Sequence, residues 1–181
     1  MFLAVDPSPE AVAALDHALE PLRAVPGGPR WTPPERWHLT LVFLGDVPAA
    51  ALEPLVRAVA PVVAATPPLS LRLAGGGRFG SRRRPAVFWA GLDGDVRLLA
   101  DLADRLATAV RGVGLPVEER PFRAHLTLGR WRPGQPADGD LPERLAGTRG
   151  PVWPVTEVVL WRSHLGPAPS YDRVAAWPVG C

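Results

Sequence analysis

The sequence predicts an α+β fold built from two pseudo-symmetric lobes, each an antiparallel sheet with helices on its outer face, around a central groove. Four observations carry that expectation. One short segment occurs twice: Trp37-His38-Leu39-Thr40-Leu41-Val42-Phe43-Leu44-Gly45 and Phe122-Arg123-Ala124-His125-Leu126-Thr127-Leu128-Gly129-Arg130 share His-Leu-Thr-Leu. The two histidines stand 87 residues apart, close to half of the 181-residue chain. Both copies alternate in the manner of strands. Elsewhere strand-like runs follow one another with no helix between them, which argues for hairpins and against a doubly wound parallel sheet.

The elements follow in order. Phe2-Leu3-Ala4-Val5 reads as a short strand. Ser8 suits a helix N-cap and Pro9 the first helical position. Val12, Leu15, Leu19 and Leu22 then recur at helical spacing, until Pro26-Gly27-Gly28-Pro29 ends the helix. His17 lies within it and reads as a solvated or packing residue. A proline-stiffened approach leads into the first motif strand, over 37–44. After the turn at Gly45-Asp46-Val47-Pro48, a second helix carries Leu52, Leu55, Val56, Val59 and Val63 on one face. Leu69–Leu73 alternates as a strand. The stretch 75–85 holds three successive glycines, four arginines and Phe79. It reads either as a solvated hairpin connection or as a phosphate or RNA contact, because arginine neutralises backbone charge and an aromatic ring stacks on bases.

Residues 86–91 form an apolar strand. A third helix presents Val96, Leu99, Leu102, Leu106 and Val110 and stops near Gly112-Val113-Gly114. The second motif strand follows. Residues 132–150 read as a long loop with a short helix around Leu141–Leu145. Two strands, 155–162 and 171–179, close the chain, with the hydroxyls of Ser163 and Tyr171 flanking the last turn. The order is β-α-β-α-β-β-α-β-β-β.

Composition narrows the chemistry. A chain of this length buries about 70% of its unfolded surface, so it needs no disulfide. Its one cysteine is Cys181, which fits a reducing compartment. The first residues lack a basic segment and a long apolar run, so no signal peptide is expected. No run reaches the roughly 18 apolar residues of a membrane span. The expectation is a cytoplasmic, monomeric protein. All 20 basic residues are arginine. Without lysine there is no lysyl-nucleotide intermediate, no Schiff base and no Walker-type phosphate loop.

Residues i and i+2 of a strand share a face, so His38 and Thr40 should point together, as should His125 and Thr127. Two imidazoles across a substrate can divide acid and base duties near neutral pH. Two hydroxyls beside them can hydrogen-bond non-bridging phosphate oxygens. That set suits in-line attack on phosphorus without a metal. A lone His-x-Thr would read as a packed histidine; the second copy shifts the balance to function. Zinc is the rival, but the His-Glu-x-x-His and cysteine spacings are absent and threonine is a poor ligand. No metal and no cofactor are expected.

On these residues the chain resembles the two-histidine phosphoesterase superfamily. The nearer resemblance is to its bacterial and archaeal RNA 2′,3′-cyclic phosphodiesterases, also called 2′-5′ RNA ligases. The likeness extends over Phe2–Asp6, Pro34–Gly45, Arg78-Phe79-Gly80, Val87–Gly91, Arg120–Arg130, Trp161-Arg162-Ser163 and Tyr171. It implies one bilobal phosphoesterase domain over residues 1–181, with RNA bearing a 2′,3′-cyclic phosphate end, or a cyclic nucleotide, as its partner. It implies opening of that phosphate to the 2′-phosphate, with His38 as acid, His125 as base and Thr40 and Thr127 on the phosphate. By the same resemblance Arg130 lies near the phosphate and base, and Phe43 stacks on the nucleobase. Strict alternation puts Phe43 and Arg130 on the wrong faces, so a bulge, twist or strand end must redirect them. Ligation would be the same ring opening with a 5′-hydroxyl in place of water. The alternatives are a relative acting on ADP-ribose cyclic phosphate or 2′-5′ oligonucleotides, and a non-catalytic RNA-binding module.

Overall fold

The computed structural model describes residues 1–118, 121–134, 136–164, 166 and 170–180. Arg120, on the approach to the second motif, and Cys181 lie outside the described residues. Among the described residues, nine strands and three α-helices run in the order β1 (Phe2–Val5), α1 (Pro9–Arg23), β2 (Arg30–Trp31), β3 (Leu39–Phe43), α2 (Ala49–Ala64), β4 (Ser70–Ser81), β5 (Arg84–Gly94), α3 (Val96–Gly112), β6 (Leu126–Arg130), β7 (Arg149–Pro154), β8 (Glu157–His164) and β9 (Ser170–Pro178). Short 3₁₀ turns occupy Pro34–Arg36 and Leu141–Leu145. The second of these is the short helix that the sequence predicts.

The strands form two sheets, ordered β3-β1-β8-β9 and β2-β6-β5-β4-β7. Every pairing is antiparallel. A shift of 87 residues carries β1 into β5, α1 onto the start of α3 and β3 onto β6, residue for residue in the last case. The lobes are therefore pseudo-symmetric, but they are not the two halves of the chain. The first sheet takes β1 and β3 from one end and β8 and β9 from the other. The helices also cross over. α1 follows a strand of the first sheet yet packs on β4 and β7 of the second, while α3 follows β5 yet packs on β3 of the first.

Local chemistry explains the helix ends. The Ser8 hydroxyl accepts the Ala11 N–H at 3.2 Å, and Pro9 opens α1 where its missing donor costs nothing. Leu15, Leu19 and Leu22 are buried from α1, Leu55, Val59 and Val63 from α2, and Leu99, Leu102, Leu106 and Val110 from α3. They meet the inward residues of both sheets in one continuous core that includes Leu39, Leu41, Val42, Leu126 and Leu128. Each such side chain contributes about 1.5–3 kcal/mol of burial. No helix among the described residues is long and apolar enough to cross a membrane.

Two stretches differ from the expectation. The Gly/Arg stretch 75–85 is not an open connection: β4 and β5 continue through it as a long hairpin that turns at Arg82-Arg83. Its glycines serve close packing. A Cβ on Gly77 would lie 2.1 Å from the Trp89 indole, so only glycine lets that ring cross the strand. Two of its arginines are held within the molecule, Arg78 by Glu143 at 2.7 Å and Arg82 by Asp140. The acidic 138–143 segment is what turns a repulsive arginine run into an ordered tip. The predicted loop 132–150 ends in β7, an edge strand whose Arg-Gly-Pro-Val-Trp-Pro sequence has little alternation and two prolines. β2, two residues long, also escapes any pattern.

Candidate active site

Each histidine sits immediately before its strand, His38 ahead of β3 and His125 ahead of β6. Each is anchored in the same way. His38 Nδ1 is 2.9 Å from the carbonyl oxygen of Arg36, and His125 Nδ1 is 2.7 Å from that of Arg123. A carbonyl only accepts, so Nδ1 carries the proton in both rings. Nε2 is left as the nitrogen that titrates, and both tautomers are fixed.

The strands then repeat a second device. In the β1–β3 ladder Ala4 faces Thr40, Leu3 faces Val42 and Phe2 faces Phe43, so Leu41 is an extra residue. In the β5–β6 ladder Trp89 faces Thr127, Phe88 faces Gly129 and Val87 faces Arg130, so Leu128 is extra. Leu41 and Leu128 are themselves 87 residues apart. Each bulge flips the alternation once. Phe43 therefore shares the face of Thr40, since Phe2 and Ala4 share theirs, and Arg130 shares the face of Thr127. The redirecting feature that alternation demanded is present in both copies. The burial sequence records it too: buried, half-buried, buried, buried, exposed along both β3 and β6.

The result is one cavity of about 480 Å³ between the lobes. It is lined by His38, Thr40, Phe43, His125, Thr127 and Arg130, all six residues singled out by the sequence. Arg30, Trp31, Ser163 and Tyr171 are also part of its wall. Phe43 is 59% exposed, an unusual state for phenylalanine and one suited to stacking.

The two histidines have different surroundings. His38 is stacked on Phe2, with ring centroids 4.6 Å apart and planes 25° apart, and meets the edge of Tyr171 at 5.3 Å. Burial in that aromatic box lowers its pKa from 6.5 to about 4, with His125 and Arg36 adding repulsion and the Arg36 carbonyl opposing them. His125 packs edge-on to Phe79 at 4.9 Å and to Trp89 at 6.4 Å. Burial lowers its pKa too, helped by the positive charges of Arg130 and Arg123. Arg123 lies over the Phe79 ring at 5.6 Å. Both imidazoles are thus neutral in the free protein at pH 7, and an anion between them raises both.

His17 lies apart from this site, exposed beside Glu20 at 3.3 Å. Among the described residues no three His, Cys, Asp or Glu side chains converge as metal ligands do. Sequence reasoning noted Phe79 only as a ring for RNA bases and Tyr171 only for its hydroxyl, and assigned no role to Phe2 or Trp89; all four wall the imidazoles. It also missed the carbonyl anchors. A signal existed: an arginine stands two residues before each histidine, so the repeat begins at Arg36 and Arg123.

Known proteins resemble this chain in sequence and in fold. Residues 7–167 match the family model of the 2′-5′ RNA ligase superfamily. The chain is 37% identical over 150 residues to an RNA 2′,3′-cyclic phosphodiesterase of Geobacillus stearothermophilus, a match spanning 82% of this chain and 47% of that longer relative. It is 32% identical over 175 residues to the RNA 2′,3′-cyclic phosphodiesterase of Thermus thermophilus, spanning 92% of this chain and 83% of that one. Among solved structures, TT0787 of Thermus thermophilus superposes with a TM-score of 0.81 at 28% identity, covering 99% of this chain and 97% of that one. E. coli LigT complexed with 3′-AMP shares the fold, with a TM-score of 0.77 at 24% identity over 98% of this chain and 96% of that one. With the match running through both anchored histidines, the chain belongs to the 2′-5′ RNA ligase superfamily.

Proposed function

We propose that this chain hydrolyses a 2′,3′-cyclic phosphate, at an RNA 3′ end or on a nucleoside, to the 2′-phosphate. The observation that supports this most is the pair of imidazoles held by identical carbonyl bonds in one cavity, each with a threonine beside it. The relatives named RNA 2′,3′-cyclic phosphodiesterase point to the same substrate group.

In this reading the phosphate lies between the motifs. Thr40 and Thr127 donate hydrogen bonds to its non-bridging oxygens, and Arg130 supplies positive charge as negative charge grows on them. His125 Nε2 takes a proton from the attacking water. The new P–O bond forms as the bond from phosphorus to the 3′ oxygen breaks, and His38 gives its Nε2 proton to that oxygen. The products are a 2′-phosphate and a 3′-hydroxyl, with the proton moved from one imidazole to the other. Phe43 stacks on the base. No lysine is needed, and joining to a 5′-hydroxyl is the same ring opening with that hydroxyl in place of water. Residues 1–181 work as one bilobal unit, a monomer in the cytoplasm.

The acid must hold a proton that burial discourages. kcat/KM reports the free enzyme and kcat the complex. With both free pKa values below 6.5, the form with one proton shared between two histidines peaks below pH 6.5. The bound phosphate anion raises both pKa values, so the kcat bell should sit at higher pH. Initial rates of nucleoside 2′,3′-cyclic phosphate hydrolysis across pH 4–9 test this. A kcat/KM bell centred above pH 7 would overturn the shared-proton reading.

A further inference from the structure

We propose that a second cavity beside the histidine groove holds the penultimate nucleotide when the substrate is an RNA 3′ end. This rests on the cyclic-phosphate reading above and extends its substrate.

The pseudo-symmetry of the lobes points to the place. β6 is covered on one side by β5 and on the other by β2. β3, its counterpart, has β1 on one side only and is the terminal strand of its sheet. One row of β3 backbone N–H and C=O groups is therefore unpaired within the sheet. A cavity of about 800 Å³ lies along that edge, and the four consecutive residues Thr40, Leu41, Val42 and Phe43 line it. It adjoins the histidine groove: Thr40, Phe43 and His125 line both.

Its chemistry fits a nucleotide. Phe79 and the exposed Phe43 offer aromatic surface, and Ala107 on α3 lines the cavity with a small side chain. Thr108, Arg111 and Arg123 add a hydroxyl and two cations to its lining. Arg111 has no ion-pair partner among the described residues. Asp104 and Glu118 also border the cavity and suit base amino or ribose hydroxyl donors. Single-stranded RNA is recognised by such a set: stacked bases, edges read by hydrogen bonds and phosphate met by arginine. A chain whose terminal cyclic phosphate lies between the histidines has its next nucleotide within reach of this edge.

The test compares adenosine 2′,3′-cyclic phosphate with an adenylyl-adenosine dinucleotide ending in the same cyclic phosphate, at one ionic strength. kcat/KM should be about tenfold or more higher for the dinucleotide, the order expected of one stacked base. Arg111→Gln and the cavity-filling Ala107→Phe should each reduce that ratio to about threefold or less. Both should leave mononucleotide kinetics unchanged. Ala107→Phe carries no charge change, so it separates a filled site from simple electrostatic attraction. A dinucleotide no better than the mononucleotide, or a ratio untouched by both variants, overturns the inference while leaving the cyclic-phosphate reading intact. No turnover of either substrate overturns both.

Discussion

Replacing His38 or His125 with alanine is expected to lower kcat for nucleoside 2′,3′-cyclic phosphate hydrolysis by about 10²–10⁴-fold in each case. The two losses should not multiply in the double variant, since either ring alone leaves the proton transfer incomplete. The carbonyl anchors make the effect specific to chemistry. Each imidazole is tied by Nδ1 to the residue two before it, so its contribution is a single oriented Nε2. His125→Ala should fold normally, since His125 is only half-buried. His38→Ala removes a ring stacked on Phe2, and its unfolding midpoint should be checked beside its rate. Either variant keeping kcat within about tenfold of the parent would remove that histidine from the reaction.

Thr40→Val and Thr127→Val should each lower kcat by about 10²–10³-fold, the range for losing one donor to developing charge. Valine keeps the β-branched shape and the strand preference while deleting the hydroxyl. If the hydroxyls act mainly in the transition state, kcat and kcat/KM fall together and KM barely moves. If they act mainly in substrate binding, KM rises and kcat holds. Thr→Ser at either position should recover most of the activity, because serine keeps the donor. Steady-state kinetics of the four variants separate these outcomes. A valine variant with unchanged kcat and KM would contradict the phosphate-binding role.

The core of the site was legible because its logic is carried by side chains in a short repeat. His-Leu-Thr-Leu twice, with strand alternation, was enough to bring four groups to one groove. What lay beyond the sequence was backbone. The bulges at Leu41 and Leu128 are made by ordinary leucines, and no residue type announces them. They decide whether Phe43 and Arg130 reach the groove, and only the strand registers reveal them. The carbonyl anchors from Arg36 and Arg123 are hidden for the same reason, since every residue has a carbonyl.

Topology was legible in class but not in assembly. An even repeat suggests two halves facing each other, yet β8 and β9 from the C-terminal part complete the sheet begun by β1 and β3. Pairings between distant segments leave no local periodicity. The arginine stretch shows the opposite kind of difficulty. Its composition resembles a solvated loop because the balancing charges, Asp140 and Glu143, are about sixty residues away. The glycines that look like flexibility are there to let Trp89 lie against the strand.

The central claim is that two fixed imidazoles open a 2′,3′-cyclic phosphate by expelling the 3′ oxygen, with no metal in the step. Product identity tests it most directly. A nucleoside 2′,3′-cyclic phosphate should be converted entirely to the 2′-phosphate, at a rate unchanged by EDTA. Formation of the 3′-phosphate, or a rate lost to the chelator and restored by a divalent cation, would contradict it.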